Sequence, residues 1–257
     1  MGKNWPWSGI FLIVFLLVLW EVAMRVSGIV TDSFAPPSKV VVAFLAALKD
    51  GSLLKATGET LLAALIGLGL GAGAGVLSGV VLGLTPLAAR AFRAPVETLR
   101  TLPSVALIPL SLMAFGFGYA MEYSIIAFAT FWPTLILAQA AVIGVDRQLL
   151  DVARALQLGP ISRVTKIILP ASMPRLVVAL RLTIGIALVV GVTVEIAANP
   201  QGLGYGLVIA QQSLHPDLMI AFLMWVGLLG WLLNRAVVEI ERRLLRNRGG
   251  ASMRSAT

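Results

Sequence analysis

Long apolar segments separated by short polar connections set the pattern of this chain. A helix needs about 20 residues to cross the hydrocarbon core of a bilayer, and six segments approach or exceed that length. The third segment is the shortest and contains Pro109, so we expect it either to extend past Gly118 or to be broken. The predicted spans comprise residues 10–23, 60–84, 105–117, 124–143, 176–198 and 218–233.

The composition supports this interpretation. Hydrophobic residues make up 58% of the 257 positions, charged residues make up 12%, and the mean hydropathy is +0.93. An ordinary globular domain carries about 25% charged residues. The sequence therefore predicts a polytopic membrane protein.

No repeat of fixed period and no long linker divides the chain, so we expect one integral domain. Its short helix after Pro36 and Pro37 should lie on the outer surface against the membrane, because its apolar residues recur with helical spacing. The predicted parts are a single domain over 1–257 with a core at 56–235, a first span at 8–26, a surface helix at 38–49 and a disordered tail at 247–257. The stripe of the surface helix consists of Val41, Phe44, Leu45 and Leu48.

Lysine and arginine are distributed unevenly between the two sides that six spans define. One side holds only Lys39, Lys49 and Lys55, beside acidic residues. Because basic residues are enriched in cytoplasmic connections, we expect the richer side, and with it both termini, to be cytoplasmic. The net charge of +8 is thereby explained by membrane topology and does not indicate nucleic acid. The connections on the richer side contain Arg90, Arg93, Arg100, Arg147, Arg154, Arg163, Lys166 and Arg175.

Five glycines recur at every fourth position of the second predicted span. Small residues at this spacing share one helix face and allow a second helix to approach closely in lipid. We expect a helix-packing face, with a glycine-lined passage for substrate as the alternative. A leucine at Gly75 should force the helices apart, whereas an alanine there should be tolerated. The five residues are Gly67, Gly71, Gly75, Gly79 and Gly83.

Residue types that support catalysis or metal binding are scarce. The chain has no cysteine, a single histidine (His215) and no phosphate-binding loop of the G-x-x-x-x-G-K-[ST] type. We therefore expect no catalytic residue, no metal site and no ATP bound by this chain. Two charges lie within the fifth predicted span, where a charge is costly and by default indicates function. Glu195 and Arg181 are thus candidates for the translocation path or its gate, with interfacial or packing roles as the alternative.

Residues 151–170, DVARALQLGPISRVTKIILP, have the character of a soluble helical hairpin between two apolar spans. Gly159 is suited to the position just past the end of a first helix, and Pro160 to the first turn of a second. We expect Pro170 and Pro174 to end the second helix before the fifth span.

The first helix of this hairpin has one apolar face, formed by Leu149, Val152 and Leu156. Asp151 is expected near the start of the helix, where a carboxylate is favoured by the helix dipole. The apolar face either lies on the protein's own spans or on lipid headgroups, or it docks in a groove of a soluble partner. Periodicity leaves both interpretations open.

The hairpin resembles the cytoplasmic signature of ATP-binding-cassette (ABC) importer permeases. That signature begins Glu-Ala-Ala, has a glycine six residues after the glutamate and ends Ile-x-Leu-Pro. Residues 151–153 match the opening conservatively, residues 167–170 match the ending, and the spacing between Asp151 and the final proline is that of the family. The family's glycine position is occupied by Gln157, so we expect the turn to be shifted toward Gly159.

The likeness covers roughly residues 60–214. The segments RAPVETLRTLPSVALIPLSLMAFGFG and VEIAANPQGLGYGL are similar to those of the aliphatic-sulfonate, taurine and nitrate permease subfamily. Two positions that often carry a basic residue in that subfamily hold Ala63 and Glu122 here. This difference bears on which substrate is transported more than on whether the chain resembles the family.

The resemblance implies an all-α membrane protein with the six-helix type I ABC importer permease fold and a cytoplasmic coupling hairpin. It implies a homodimer with a second permease copy in the lipid of the bacterial cytoplasmic (inner) membrane, two ATPase subunits that bind ATP and Mg, and an extracytoplasmic substrate-binding protein. The expected substrate is a small anion of the sulfonate, taurine or nitrate kind. The residues implied to couple to the ATPase are Asp151, Val152, Ala153, Arg154, Leu156, Gln157 and Gly159.

Two other classes of protein compete with this interpretation. An ion-coupled secondary transporter would need carboxylates at mid-membrane. Glu195 alone does not meet that requirement. A structural or assembly protein of the membrane would have no need of a cytoplasmic hairpin with this spacing. Co-purification of an ATPase would distinguish the importer from both.

Overall fold

The apolar runs fold into long helices. The computed structural model describes residues 7–27 and 34–253, and every regular element in these ranges is helical. A 3-10 turn, Ser104–Leu107, precedes α5, and a π-helical turn, Val164–Ile168, precedes α9. The helices are α1 (Trp7–Ser27), α2 (Pro37–Lys49), α3 (Ser52–Leu84), α4 (Pro86–Leu99), α5 (Ile108–Phe115), α6 (Tyr119–Ile143), α7 (Arg147–Ala155), α8 (Pro160–Arg163), α9 (Leu169–Ala197), α10 (Gly202–Gln212) and α11 (Pro216–Met253).

Four helical segments of the described chain are long and apolar enough to cross a membrane. They contain α3, α6, α9 and α11, and they correspond to the second, fourth, fifth and sixth predicted spans. The all-helical membrane fold expected from the sequence is confirmed.

The third predicted span is broken. α4 and the short helices that follow it are bent by 83°, so the pair counts as a fifth span only if both arms are taken together. α5 ends before Gly116 and Gly118, whose φ angles of 72° and 120° lie in a region that favours glycine over residues with a side chain. Here the local turn, and not the apolar composition, decides where the helix ends.

The glycine stripe of α3 lies against α6. A methyl group built at Gly75 would lie 2.7 Å from the carbonyl oxygen of Phe131 and 2.9 Å from Cβ of Thr134, and Gly67, Gly71, Gly79 and Gly83 make comparably close approaches along the same helix. Gly69 and Gly73 are exposed on another face of α3, where such a methyl group would have no atom beyond its own helical turns within 4 Å. The five glycines therefore set the separation of the two helices.

We expect Gly75→Ala to destabilise the protein, contrary to the tolerance expected from sequence, because two of the three nearest obstructing atoms of α6 belong to its backbone and the third is a Cβ, none of which can move aside by a change of rotamer. Overpacking of this kind costs about 1 to 3 kcal/mol. Gly73→Ala is the matched control, since it makes the same chemical change on the open face. The thermal unfolding midpoint in detergent should fall for Gly75→Ala alone, and equal midpoints for the two variants would contradict this role of the stripe.

α2 packs on the core by a face that shares only Phe44 and Leu48 with its predicted stripe. Val40 and Ala47 are buried, and Phe44 and Leu48 are packed against the core beside α11 and α3, whereas Val41 remains exposed. At the end of α2, hydrogen bonds from Ser52, first its hydroxyl and then its backbone N–H, hold the pKa of Asp50 below its usual value. The surface helix is thus anchored on the core along one edge.

The last helix is longer than a membrane span requires. α11 continues to Met253 and includes residues 247–253 of the stretch predicted to be disordered; residues 254–257 lie outside the described part of the chain. No proline follows Pro216 to interrupt the helical hydrogen bonds.

Candidate functional site

The hairpin between α6 and α9 begins with a side-chain cap. Asp146 accepts a hydrogen bond from the backbone N–H of Gln148 at 2.9 Å, so it is Asp146 that caps α7. Asp151, expected near the start of this helix, lies in its middle and forms an exposed ion pair with Arg154 at 2.9 Å. The expectation differed because the Asp146 cap starts the helix at Arg147, ahead of Leu149, the first residue of the apolar face.

The turn between α7 and α8 is made at Gln157. Its φ of +49° is left-handed, and two hydrogen bonds close the turn: Gln157 N–H to the carbonyl of Arg154 at 2.9 Å and Leu158 N–H to that of Ala153 at 3.0 Å. This is the Schellman pattern that ends many helices, usually with glycine at the left-handed position. Gly159 has an ordinary φ of −61° and precedes Pro160 at the start of α8. The prediction that the turn is shifted toward Gly159 is therefore wrong. Gln157 instead occupies a conformation that favours glycine.

We expect Gln157→Gly to stabilise the hairpin by about 1 kcal/mol, because glycine adopts a left-handed conformation without the steric cost that a side chain adds. Hydrogen exchange of the Leu158 amide should slow by a factor of about five. Gly159→Ala is the control, since its φ is ordinary and an added methyl group meets nothing within 4 Å. Faster exchange at Leu158 in Gln157→Gly would contradict this assignment.

The second half of the hairpin runs into the fifth span without a break. α9 begins at Leu169 with Pro170 in its first turn, where the missing N–H would have no partner in any case. Pro174 lies inside α9, so neither proline ends a helix as expected. The helical path is continuous from the hairpin to the far end of the span.

The apolar face of α7 is exposed. Val152 is 51% exposed and Leu156 is 64% exposed, and Leu149 lies beside them. Ala153, by contrast, is buried within the chain at 1% exposure. Three of the apolar residues singled out from the sequence thus form an uncovered surface, while Ala153 holds the hairpin to its own chain.

A buried polar cluster lies at the other end of the bundle. α6 carries Glu122 in its first turn and leads into the hairpin after Ile143, so roughly 30 Å of helix separates the cluster from the hairpin. Glu195, singled out from the sequence, is 2% exposed. It accepts hydrogen bonds from the Thr60 hydroxyl at 2.7 Å and from the backbone N–H of Gly204 at 2.8 Å.

These residues cap the start of α10. The first backbone N–H groups of a helix have no partner within the helix, and the residue before α10 provides no side-chain cap. Gly202 N–H donates to Glu59 at 2.9 Å, and Leu203 N–H donates to the hydroxyl of Thr60 at 2.9 Å. With Glu195 accepting from the next N–H, the three donors are satisfied from α3 and α9, and the acidic side chains also favour the positive end of the helix dipole.

Glycine is required at Gly202 for two reasons. Its φ is +82°, and a methyl group there would collide with the carboxylate of Glu195. At Gly204 a methyl group would lie 2.7 Å from Cβ of Glu195. The Gly-Leu-Gly segment therefore allows α10 to dock closely on α9.

Glu122 is the residue that the sequence argument underestimated. It is 1% exposed, accepts a hydrogen bond from Asn199 Nδ2 at 2.6 Å and interacts electrostatically with Glu195. Its Oε1 atom and the Oδ1 atom of Asn199 have no hydrogen-bond partner among the described residues. Two features of the sequence could have indicated its importance. Glu122 is a carboxylate at the start of an apolar span, and it occupies a position that is often basic in the related permeases.

Arg181 lies apart from this cluster. It approaches Asn234 and Glu241 of α11 at 3.4 Å, and fourteen positions of α9 separate it from Glu195, or about 20 Å. The structure thus does not bring the two candidate gate residues together. Within the described residues, no group of three or more histidine, aspartate, glutamate or cysteine side chains is arranged to hold a metal ion.

Comparison with known proteins gives consistent results. Residues 71–246 match the family model described as binding-protein-dependent transport system inner membrane component. The putative aliphatic sulfonates transport permease protein SsuC of Bacillus subtilis (strain 168) is 29% identical over 246 residues, covering 95% of this chain and 89% of that protein. The nitrate import permease protein NrtB of Leptolyngbya laminosa is 30% identical over 172 residues, covering 67% and 62%.

A solved structure has the same fold. A chain of the MetNI methionine ABC transporter, in an inward-facing conformation, superposes with a TM-score of 0.66 at 22% identity, over 74% of this chain and 95% of that one. At this level of identity the similarity supports the fold alone.

Proposed function

Because the chain belongs to the family of inner membrane components of binding-protein-dependent transport systems, we propose that it is the permease subunit of an ABC importer for a small anion. One observation carries the coupling assignment: an apolar helix face, with Leu156 at 64% exposure, at α7, which lies between the candidate span that ends at Ile143 and the one that begins at Pro160. An exposed amphipathic face of this kind fits a groove on a soluble partner. The partner is an ATPase subunit. It binds the ATP and Mg, since this chain has no phosphate-binding loop.

The docking residues follow from their exposure. Val152 and Leu156 enter the groove, and the exposed ion pair of Asp151 with Arg154 lies on the other side of α7. Gln157 sets the direction in which the chain leaves the docked helix. Ala153 contributes by fixing α7 to the permease, since its side chain faces inward. Movement of the ATPase is thereby transmitted to α9, which continues the hairpin.

A second copy of the permease covers α4. This helix has no buried residue, and it exposes large apolar side chains such as Leu87 and Phe92. Two copies meeting through this region form the homodimer and present two hairpins to two ATPase subunits. The distribution of lysine and arginine orients both termini and the hairpin toward the cytoplasm.

The cluster around Glu195 acts as a clamp on an extracytoplasmic gate. Its hydrogen bonds fasten α10 to α3 and α9, and α10 is the short helix between the two last spans. The clamp faces the side on which a substrate-binding protein would dock. Arg181 ties the opposite half of α9 to α11 through Glu241.

The substrate is a small oxyanion or sulfonate. The names of the relatives cite aliphatic sulfonates and nitrate, both of which carry a single negative charge spread over several oxygens. With Ala63 and Glu122 both buried, the described core offers neither of the two basic residues common in those permeases. Selection of the anion therefore rests with the binding protein.

Reconstitution tests this function. The permease, its ATPase and its binding protein are placed in proteoliposomes, with labelled alkanesulfonate, taurine or nitrate as probes. Uptake should require ATP on the ATPase side and the binding protein on the other, and it should be indifferent to a proton ionophore. Uptake that persists without ATP and collapses with the ionophore would instead identify a secondary transporter.

A further inference from the structure

A cavity of about 1000 Å³ lies between the hairpin and the ends of α3 and α6. Its wall is mostly apolar and includes Leu84, Ile143, Leu158 and Ile161. The cavity is therefore suited to an apolar occupant.

One cation interrupts the apolar wall. Nε of Arg163 is buried and has no hydrogen-bond partner in the described part of the chain. No acidic residue lines the cavity as far as the structure describes it, and Thr165, also in the wall, already donates to the carbonyl of Ile161 at 2.9 Å. A buried donor left without an acceptor is destabilising, and a charged one more so. Nε itself is closed off from the cavity, so an acceptor from outside the chain would meet the outer nitrogens of the guanidinium and offset the charge of Arg163.

The cavity lies at the level where two membrane spans end. α3 ends at Leu84 and α6 at Ile143, and both residues line the cavity. Headgroups of the bilayer begin where the hydrocarbon-spanning part of a helix ends. An occupant of this cavity thus has acyl chains on one side and the phosphate layer on the other.

We propose that the cavity binds one anionic phospholipid. Its phosphate accepts hydrogen bonds from the guanidinium of Arg163, a planar group that matches phosphate oxygens, and an acyl chain occupies the apolar wall. Basic pockets between membrane helices are suited to anionic headgroups. Because Leu158 and Ile161 of the hairpin form part of the wall, the bound lipid connects the hairpin to α3 and α6.

The test titrates the purified full-length chain with phosphatidylglycerol and measures bound lipid by native mass spectrometry. Phosphatidylcholine with the same acyl chains and inorganic phosphate serve as the two comparison ligands. Phosphatidylglycerol should fill one saturable site and bind at least about tenfold more tightly than phosphatidylcholine. Both lipids have a phosphate that can accept from Arg163, but the choline cation of phosphatidylcholine repels the guanidinium, whereas phosphatidylglycerol has a net negative charge. Arg163→Gln should remove this preference.

Two further variants separate the cavity from general surface charge. Ala89→Phe places a ring in the cavity without altering Arg163, and it should weaken phosphatidylglycerol binding as well. Lys166→Gln removes a charge from an exposed position of the same segment outside the wall, and it should leave binding unchanged.

Several results would overturn the proposal. These are equal affinity for the two lipids, equal binding by wild type and both cavity variants, and an equal loss in Lys166→Gln and Arg163→Gln. Displacement of the lipid by inorganic phosphate at a similar concentration would show a site for a free anion instead. Each variant is first checked for a single monodisperse peak, and Ala89→Phe decides the question if Arg163→Gln does not fold.

Discussion

Leu156→Asp should release the ATPase from the permease, with a loss of affinity of about a hundredfold or more. Leu156 caps the C-terminal end of α7 and is 64% exposed, so the substitution places no charge inside the permease itself. In the proposed complex the same side chain is buried in a groove, where an unpaired charge costs about 3 to 5 kcal/mol. Each 1.4 kcal/mol changes an affinity about tenfold. The measurement is the amount of ATPase retained by tagged permease in mild detergent.

Two control variants make this result specific to the apolar face. Leu156→Met conserves volume and should retain the ATPase. Arg154→Asp changes charge on the opposite side of α7, where Arg154 only pairs with exposed Asp151, and it should be milder. All three variants should insert equally. If Leu156→Asp still retains the ATPase and supports transport, the hairpin does not dock through this face.

Thr60→Val should loosen α10 and destabilise the permease by about 2 to 4 kcal/mol. Thr60 is fully buried and has two roles at once: its hydroxyl donates to Glu195 at 2.7 Å and accepts from Leu203 N–H at 2.9 Å. Valine has nearly the same shape but can make neither bond. Each buried group left unpaired costs about 1 to 3 kcal/mol. The thermal unfolding midpoint should fall, and hydrogen exchange at the first amides of α10 should accelerate.

Thr60→Ser and Thr193→Val are the matched controls. Serine keeps the hydroxyl and should keep most of the stability. Thr193 is half-buried and donates only to the carbonyl of Val189 within its own helix, so its replacement by valine should be nearly neutral. A Thr60→Val variant as stable as Thr193→Val would show that the clamp contributes nothing to holding α10.

Membrane class and general architecture were predictable from sequence because both depend on local pattern. Apolar runs of span length, basic residues grouped on one side and glycines at every fourth position of α3 are readable within a few helical turns. The spacing of residues 151–170 likewise indicated a hairpin of two helices. The details of that hairpin were less predictable, since a glutamine at φ +49° opposes the usual preference for glycine.

The polar cluster at the other end depended on tertiary structure. The hydrogen bond between Thr60 and Glu195 joins residues 135 positions apart, and that between Asn199 and Glu122 joins residues 77 positions apart. Sequence periodicity identified Glu195 as an isolated charge in a span, but it contained no information on which donors would meet it. Only the packing of α3, α6 and α9 determines that this carboxylate caps α10 and that Glu122 is buried beside it, because hydrogen bonding and burial are set by neighbours in space.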